Sequence, residues 1–176
     1  MKVAPLVAAT ALLAIASPAL AIEVTAGGAV HPLGFIGGAG IELGVGDNSA
    51  VEVRGSFMAY QYEATDYEEE GSGPMGGLRA RWYPQDTGNA TRLWLAAGLS
   101  GASVDYEWKE YSDGAVVDSK EDTAVVVLVE AGIGYKILFG DERFVLDPQI
   151  LLGYFVSPDT EIDVLAGAGL SLGVRF

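Results

Sequence analysis

Read at a spacing of two, the end of the chain separates into two files. Ile162, Val164, Ala166, Ala168, Leu170, Leu172, Val174 and Phe176 form an unbroken apolar file, while Asp163, Leu165, Gly167, Gly169, Ser171, Gly173 and Arg175 form a smaller, more polar one. Strands of globular proteins alternate too, but they usually stop after about 5 or 6 residues. A longer alternating strand with an apolar file on one side is the pattern of a stave that crosses a membrane in a barrel, with its apolar side chains to lipid and the others to the lumen. The same alternation recurs over residues 22–31, 35–45, 50–62, 76–83, 91–103, 123–139 and 144–156, with turn-forming residues between the stretches. Together with the closing stretch 161–176, these predict an all-β fold, an eight-stranded antiparallel up-and-down transmembrane β-barrel spanning residues 22–176.

The connections carry a second pattern. Short turns are predicted at Pro32 to Gly34, Gly46 to Ser49, Pro84 to Ala90 and Gly140 to Arg143, while 63–75 and 104–122 read as long polar loops. Outer-membrane barrels have short periplasmic turns and longer external loops, so both termini are expected on the periplasmic side. Pro148 is the weakest point of the seventh stretch, since proline removes a ladder donor.

The beginning of the chain gives the same address. Lys2, an apolar run from Val3 to Ala16 and the small residues Ala19 and Ala21 have the three parts of a secretory signal peptide, expected to span residues 1–21. No later stretch is apolar for the roughly 18 residues that a transmembrane helix needs. Cysteine is absent, so no disulfide framework holds the chain together. The net charge is −14, which excludes nucleic acid as a partner because its phosphates would be repelled.

The inward file collects Glu23, Glu42, Glu52, Glu130, Asp147 and Asp163 against Arg54, Arg79, Arg81, Arg92, Lys136 and Arg175. An eight-stranded barrel is only wide enough for side chains to fill. Desolvated charges there cost several kcal/mol unless paired, so these residues are expected to form a lumen ion-pair network that plugs the barrel. Arg81 is expected to meet Glu52 or Glu130. Inward glycines such as Gly38, Gly98, Gly132 and Gly167 are expected to make room for Arg, Trp94 and Tyr60 opposite, with a ligand cavity as the alternative.

The excess negative charge lies in the long polar segments, at Glu63, Asp66, Glu68, Glu69 and Glu70 and at Asp105, Glu107, Glu110, Asp113, Asp118, Glu121 and Asp122. A solvated face explains these acids, and the alternative is binding of divalent cations or another surface ligand. They lack the spaced acidic order of a calcium loop. Phe35, Phe57 and Tyr154 toward one rim, and Trp82, Tyr135, Phe139, Phe144 and Phe176 toward the other, have the placement of interfacial aromatic girdles.

In strand count, loop asymmetry and the closing GLSLGVRF, the chain resembles the small outer-membrane β-barrel family that includes the OmpA membrane domain, OmpX-like proteins and the neisserial opacity proteins. The resemblance implies an address in the outer membrane of a Gram-negative bacterium, with outer-membrane lipids as surroundings. It also implies that Leu170, Leu172, Val174 and Phe176 are read by the barrel assembly machinery. Such barrels serve as adhesins, structural proteins, weak pores and lipid A modifying enzymes, so the resemblance does not choose among activities.

The resemblance implies that catalysis of the lipid A modifying kind would use a histidine with a serine and an acid. The one histidine, His31, lies beside the closing strand, where Ser157, Asp159, Glu161 or Asp163 could approach, and a histidine before proline is a common turn residue. No metal-ligand spacing and no cofactor fingerprint appears. The expected function is therefore structural or surface-interacting and not enzymatic, with a narrow ion pore, or a lipid A modifying enzyme, as the alternatives.

Overall fold

The computed structural model describes residues 22–45, 47–84, 91–156 and 164–176. The expected signal peptide, Gly46, most of the turn before the fifth strand and residues 157–163, including Asp163, lie outside the described residues. Eight strands follow one another in chain order: Ile22–His31 (β1), Gly34–Gly44 (β2), Ser49–Ala64 (β3), Tyr67–Trp82 (β4), Thr91–Ser112 (β5), Ala115–Phe139 (β6), Phe144–Phe155 (β7) and Val164–Arg175 (β8). Each is antiparallel to its neighbours, and β8 returns to β1 to close the ring. The Phe176 N–H completes that seam by donating to the Ile22 carbonyl at 2.9 Å. Closure leaves no free sheet edge across the barrel, which is what lets a sheet cross lipid with its backbone satisfied.

The outward file is apolar and exposed on every strand, including Val24, Ile41, Val53, Leu78, Leu99, Ile133, Ile150 and Leu172. Water would strongly disfavour a continuous apolar belt of this kind, whereas lipid is its natural solvent. The aromatics expected at the two rims, Phe35, Phe57 and Tyr154 and then Trp82, Tyr135, Phe139, Phe144 and Phe176, are all exposed on this outer face.

The two segments expected as long loops are strands. β3 and β4 stay paired to Ala64 opposite Tyr67, and β5 and β6 stay paired to Ser112 opposite Ala115, with one register shift between Glu110 and Tyr111. β4 and β5 also pair through this region, from Tyr67 opposite Glu110 to Ser72 opposite Asp105. The result is a four-stranded wall standing above one side of the barrel. The apolar outward file ends before the wall because both of its faces meet water, and that loss of the file makes the sequence read as loop. One local signal does mark the turn. Asp113 and Gly114 have φ of 52° and 77°, the paired positive values of a tight two-residue hairpin that Asp-Gly accommodates. At the other end, Gly140, Asp141 and Glu142 all have positive φ in the tight β6–β7 turn.

Inside, large side chains lie against glycines. A Cβ on Gly134 would overlap the Trp94 ring, and one on Gly71 would stand 2.6 Å from the Tyr60 ring. These glycines leave space that the opposing rings fill, the small-against-large packing that a narrow barrel needs.

Candidate functional site

Strand register turns the inward files of β3 to β6 into rows that cross the wall of the lumen. From the termini upward, the row Glu52, Arg79, Gly98, Glu130 is followed by Arg54, Gly77, Ser100, Leu128 and then by Ser56, Met75, Ala102, Val126. Charge therefore gives way to apolar surface within two steps. The lumen contains two layers, an ionic one toward the termini and an apolar one beneath the wall.

The ionic layer is continuous. Lys136 Nζ lies 2.9 Å from Glu23 and 2.7 Å from Glu42. Arg81 reaches Glu42 at 3.1 Å, Glu52 at 3.2 Å and Asp147 at 2.7 Å. Arg79 lies 3.6 Å from Glu52 and 3.4 Å from Glu130, and Arg54 also pairs with Glu130. Of the two acids expected for Arg81, Glu52 is the one it contacts, while Glu130 goes to Arg54 and Arg79.

Neutral side chains that parity alone did not single out complete the layer. The Tyr83 hydroxyl donates to Glu42 at 2.7 Å and the Trp94 Nε1–H donates to Asp147 at 2.7 Å. Ser100 donates to Glu130, and Arg79 donates to the Gln149 side-chain carbonyl at 3.0 Å. The Arg81 guanidinium also lies 4.2 Å from the Trp94 ring centroid, within cation–π range. Trp94 and Asp147 are fully buried. Their sequence signal was only inward parity, which does not reveal which opposite strand a side chain will reach. Beside this layer the described residues leave voids of about 50 and 30 Å³, room for very little water.

One expected member of the network, Arg175, stands apart from it. Arg175 faces Glu142 at 3.6 Å in the β6–β7 turn, where both are partly exposed. Arg92 stands opposite Lys136 in the register, near the terminal end of the lumen. Asp163 belongs to the residues not described.

Above the ionic layer Met58, Met75, Ala102, Val104 and Val126 form a buried apolar cluster, with Tyr60, Tyr106 and Phe155 packed against it. It floors a cavity of about 650 Å³, which the inner face of the wall lines with Tyr67, Glu69, Trp108, Lys120 and Asp122. Tyr67, Tyr106 and Trp108 lie in segments that read as loops, so this cavity was not legible in the sequence. His31 lines it too, and both ring nitrogens lack a hydrogen-bond partner among the described residues. The serine and acids considered as its catalytic companions, Ser157, Asp159, Glu161 and Asp163, lie outside the described residues. At the lip, a hydrogen bond from Lys120 and another from the Thr123 N–H hold the Asp122 carboxyl below the usual carboxylate range.

The outer face of the wall is acidic. Register places Glu70 opposite Glu107 and Glu107 opposite Glu121, with Glu63 opposite Glu68 beside them. No grouping of acids with metal-binding geometry occurs among the described residues.

Fold and lumen together define a small transmembrane β-barrel of the outer-membrane type. The N-terminal barrel of OprF from Pseudomonas aeruginosa is similar at 20% identity and TM-score 0.62, covering 89% of this chain and 97% of that one. A major outer membrane protein from Thermus thermophilus is similar at 12% identity and TM-score 0.70, covering 90% of this chain and 100% of that one. Neisserial surface protein A is similar at 15% identity and TM-score 0.56, covering 89% and 96% of the two chains. No family model matches the chain, and no curated protein matches its sequence.

Proposed function

We propose that this chain is an outer-membrane barrel whose lumen is plugged and whose work is done at the cell surface by the acidic four-stranded wall. In this reading the termini face the periplasm, the wall faces the outside, and the barrel has no enzymatic role. The carrying observation is the contrast between the two ends. Toward the termini, buried ion pairs fill the lumen, and above the opposite rim a paired sheet presents Glu70, Glu107 and Glu121 in one unbroken row. Like charges directly opposite each other destabilise a sheet, and Lys109, 3.0 Å from Glu107, offsets one of the three charges, so the row keeps an excess of negative charge that is costly as a mere support. It is suited to attracting cationic partners, whether divalent cations, a basic protein surface or counter-ions bridging to lipid phosphates, because clustered charge raises the local concentration of opposite charge.

Two measurements test this reading. Purified barrel in planar bilayers is expected to show no steady conductance, and open channels of constant size would replace the plug with the pore alternative. Cells displaying the protein are expected to bind a fluorescent nona-lysine peptide in a salt-sensitive manner. Exchanging Glu70, Glu107 and Glu121 together for glutamine is expected to reduce that binding without reducing the amount of folded barrel. Unchanged peptide binding would remove the wall from the proposal.

A further inference from the structure

The cavity on the inner face of the wall combines three features that point to one kind of ligand. Its floor is apolar, from Met58, Val104 and Val126. Its sides are aromatic, with Tyr67 and Trp108 stacked at 6.3 Å and 22° and with Tyr60 and Tyr106 one row below. A carboxylate, Glu69, is set among the rings directly opposite Trp108. Its two oxygens accept hydrogen bonds from the Tyr60 hydroxyl at 2.7 Å and the Tyr67 hydroxyl at 2.5 Å. These phenols are neutral donors. They fix the direction of the carboxylate without cancelling its charge.

We infer that this cup is a binding site for a small organic cation, an ammonium group carrying an aryl or alkyl body. The ammonium gains from the Glu69 charge and from ring faces, the combination that recognises quaternary ammonium groups. The body covers the apolar floor and is removed from water. An anion of the same shape is repelled by Glu69, and a neutral molecule gains only the floor. The volume, about 650 Å³, is within the usual range of roughly 300–1,000 Å³ for small-ligand pockets. Lys120 and Asp122, 2.6 Å apart and exposed, form the lip, so the Lys120 charge opposes entry of a cation and its removal favours it. The outward orientation of the cup rests on the function proposed above, while the binding itself does not.

The test uses the full chain refolded in a neutral detergent, with heat-modified mobility confirming the barrel for every variant. Calorimetric titration with benzyltrimethylammonium is compared with benzyl alcohol and benzenesulfonate. The cation is expected to bind saturably and at least tenfold more tightly than the alcohol, with no binding of the sulfonate. Glu69→Gln and Trp108→Leu are each expected to weaken it about tenfold or more, and Tyr67→Phe, which keeps the ring, much less. Lys120→Met is expected to tighten binding severalfold, a direction that loss of structure cannot produce. Glu63→Gln, on the outer face, is expected to leave it unchanged. Absence of saturable binding, equal affinity for benzyl alcohol, insensitivity to Glu69→Gln, or an equal loss on Glu63→Gln would each overturn the inference. These outcomes are separate from bilayer conductance and surface peptide binding, so either proposal can fail alone.

Discussion

Arg81 is held by Glu42, Glu52 and Asp147 and lies over Trp94, so its removal strips buried Asp147 of its cation and leaves Glu42 to Lys136 and Glu52 to Arg79 alone. Breaking a buried ion pair from one side typically costs about 3–5 kcal/mol because the partner charge is left uncompensated. Arg81→Met is expected to lose stability in that range, measured by urea unfolding from detergent or lipid. Adding Asp147→Asn is expected to recover part of the loss, since the stranded charge is gone while the Trp94 N–H keeps a carbonyl to donate to. Additive losses would show that the two side chains do not share a network. The charges of this site were legible in the sequence because inward parity and the narrowness of the barrel force them together. Their pairing was not legible, because parity assigns a side and does not assign a partner across the lumen.

At the scale of elements, the wall carries a cost that substitution should reveal. Glu107 stands between Glu70 and Glu121 on the neighbouring strands, and a directly opposed pair in a sheet is worth about 0.2–1 kcal/mol. Glu107 also holds Lys109 at 3.0 Å, so the relief is expected from Glu70→Gln, which faces Glu107 without a cation of its own among the described residues and should stabilise the protein by an amount of that order at low salt. The gain should shrink at high salt, where exposed charges are screened. Urea titrations at the two ionic strengths check both statements. Within the barrel, Ile133 on β6 lies opposite Leu95 and Ile150 and near the centre of the paired β6–β7 ladder. Ile133→Arg is expected to cost roughly 2–4 kcal/mol, as a charge facing the bilayer midplane does. Val125→Arg, beyond the last β7 partner, should cost much less when measured in the same way. The lengths of β3 to β6 could not be read from alternation between apolar and polar residues, since above the lipid neither face has to be apolar. Asp113-Gly114 was the one local sign of the hairpin there.

The whole molecule depends on closure between its first and last strands. β1 pairs with β8 from Glu23 opposite Arg175 to Val30 opposite Ala168, and Phe176 adds the final bond to Ile22. Deleting Phe176 is expected to slow insertion and to raise the unfolded fraction in the cell, because both the end of the apolar closing file and a bond of the seam are lost. Normal yield of heat-modifiable barrel in membranes after the deletion would count against that expectation. The sequence by itself determined the strand phase, the lipid-facing file, the closed architecture and the identity of most lumen charges. These follow from a two-residue period and a solvent that tolerates only paired backbone and apolar surface. Only the tertiary structure decided the partners of Arg81 and Glu130, the roles of Tyr83 and Trp94, and the aromatic cup around Glu69. Each of these depends on the distance between side chains far apart in the chain, and that distance is set by the stagger of the strands once the ring is closed.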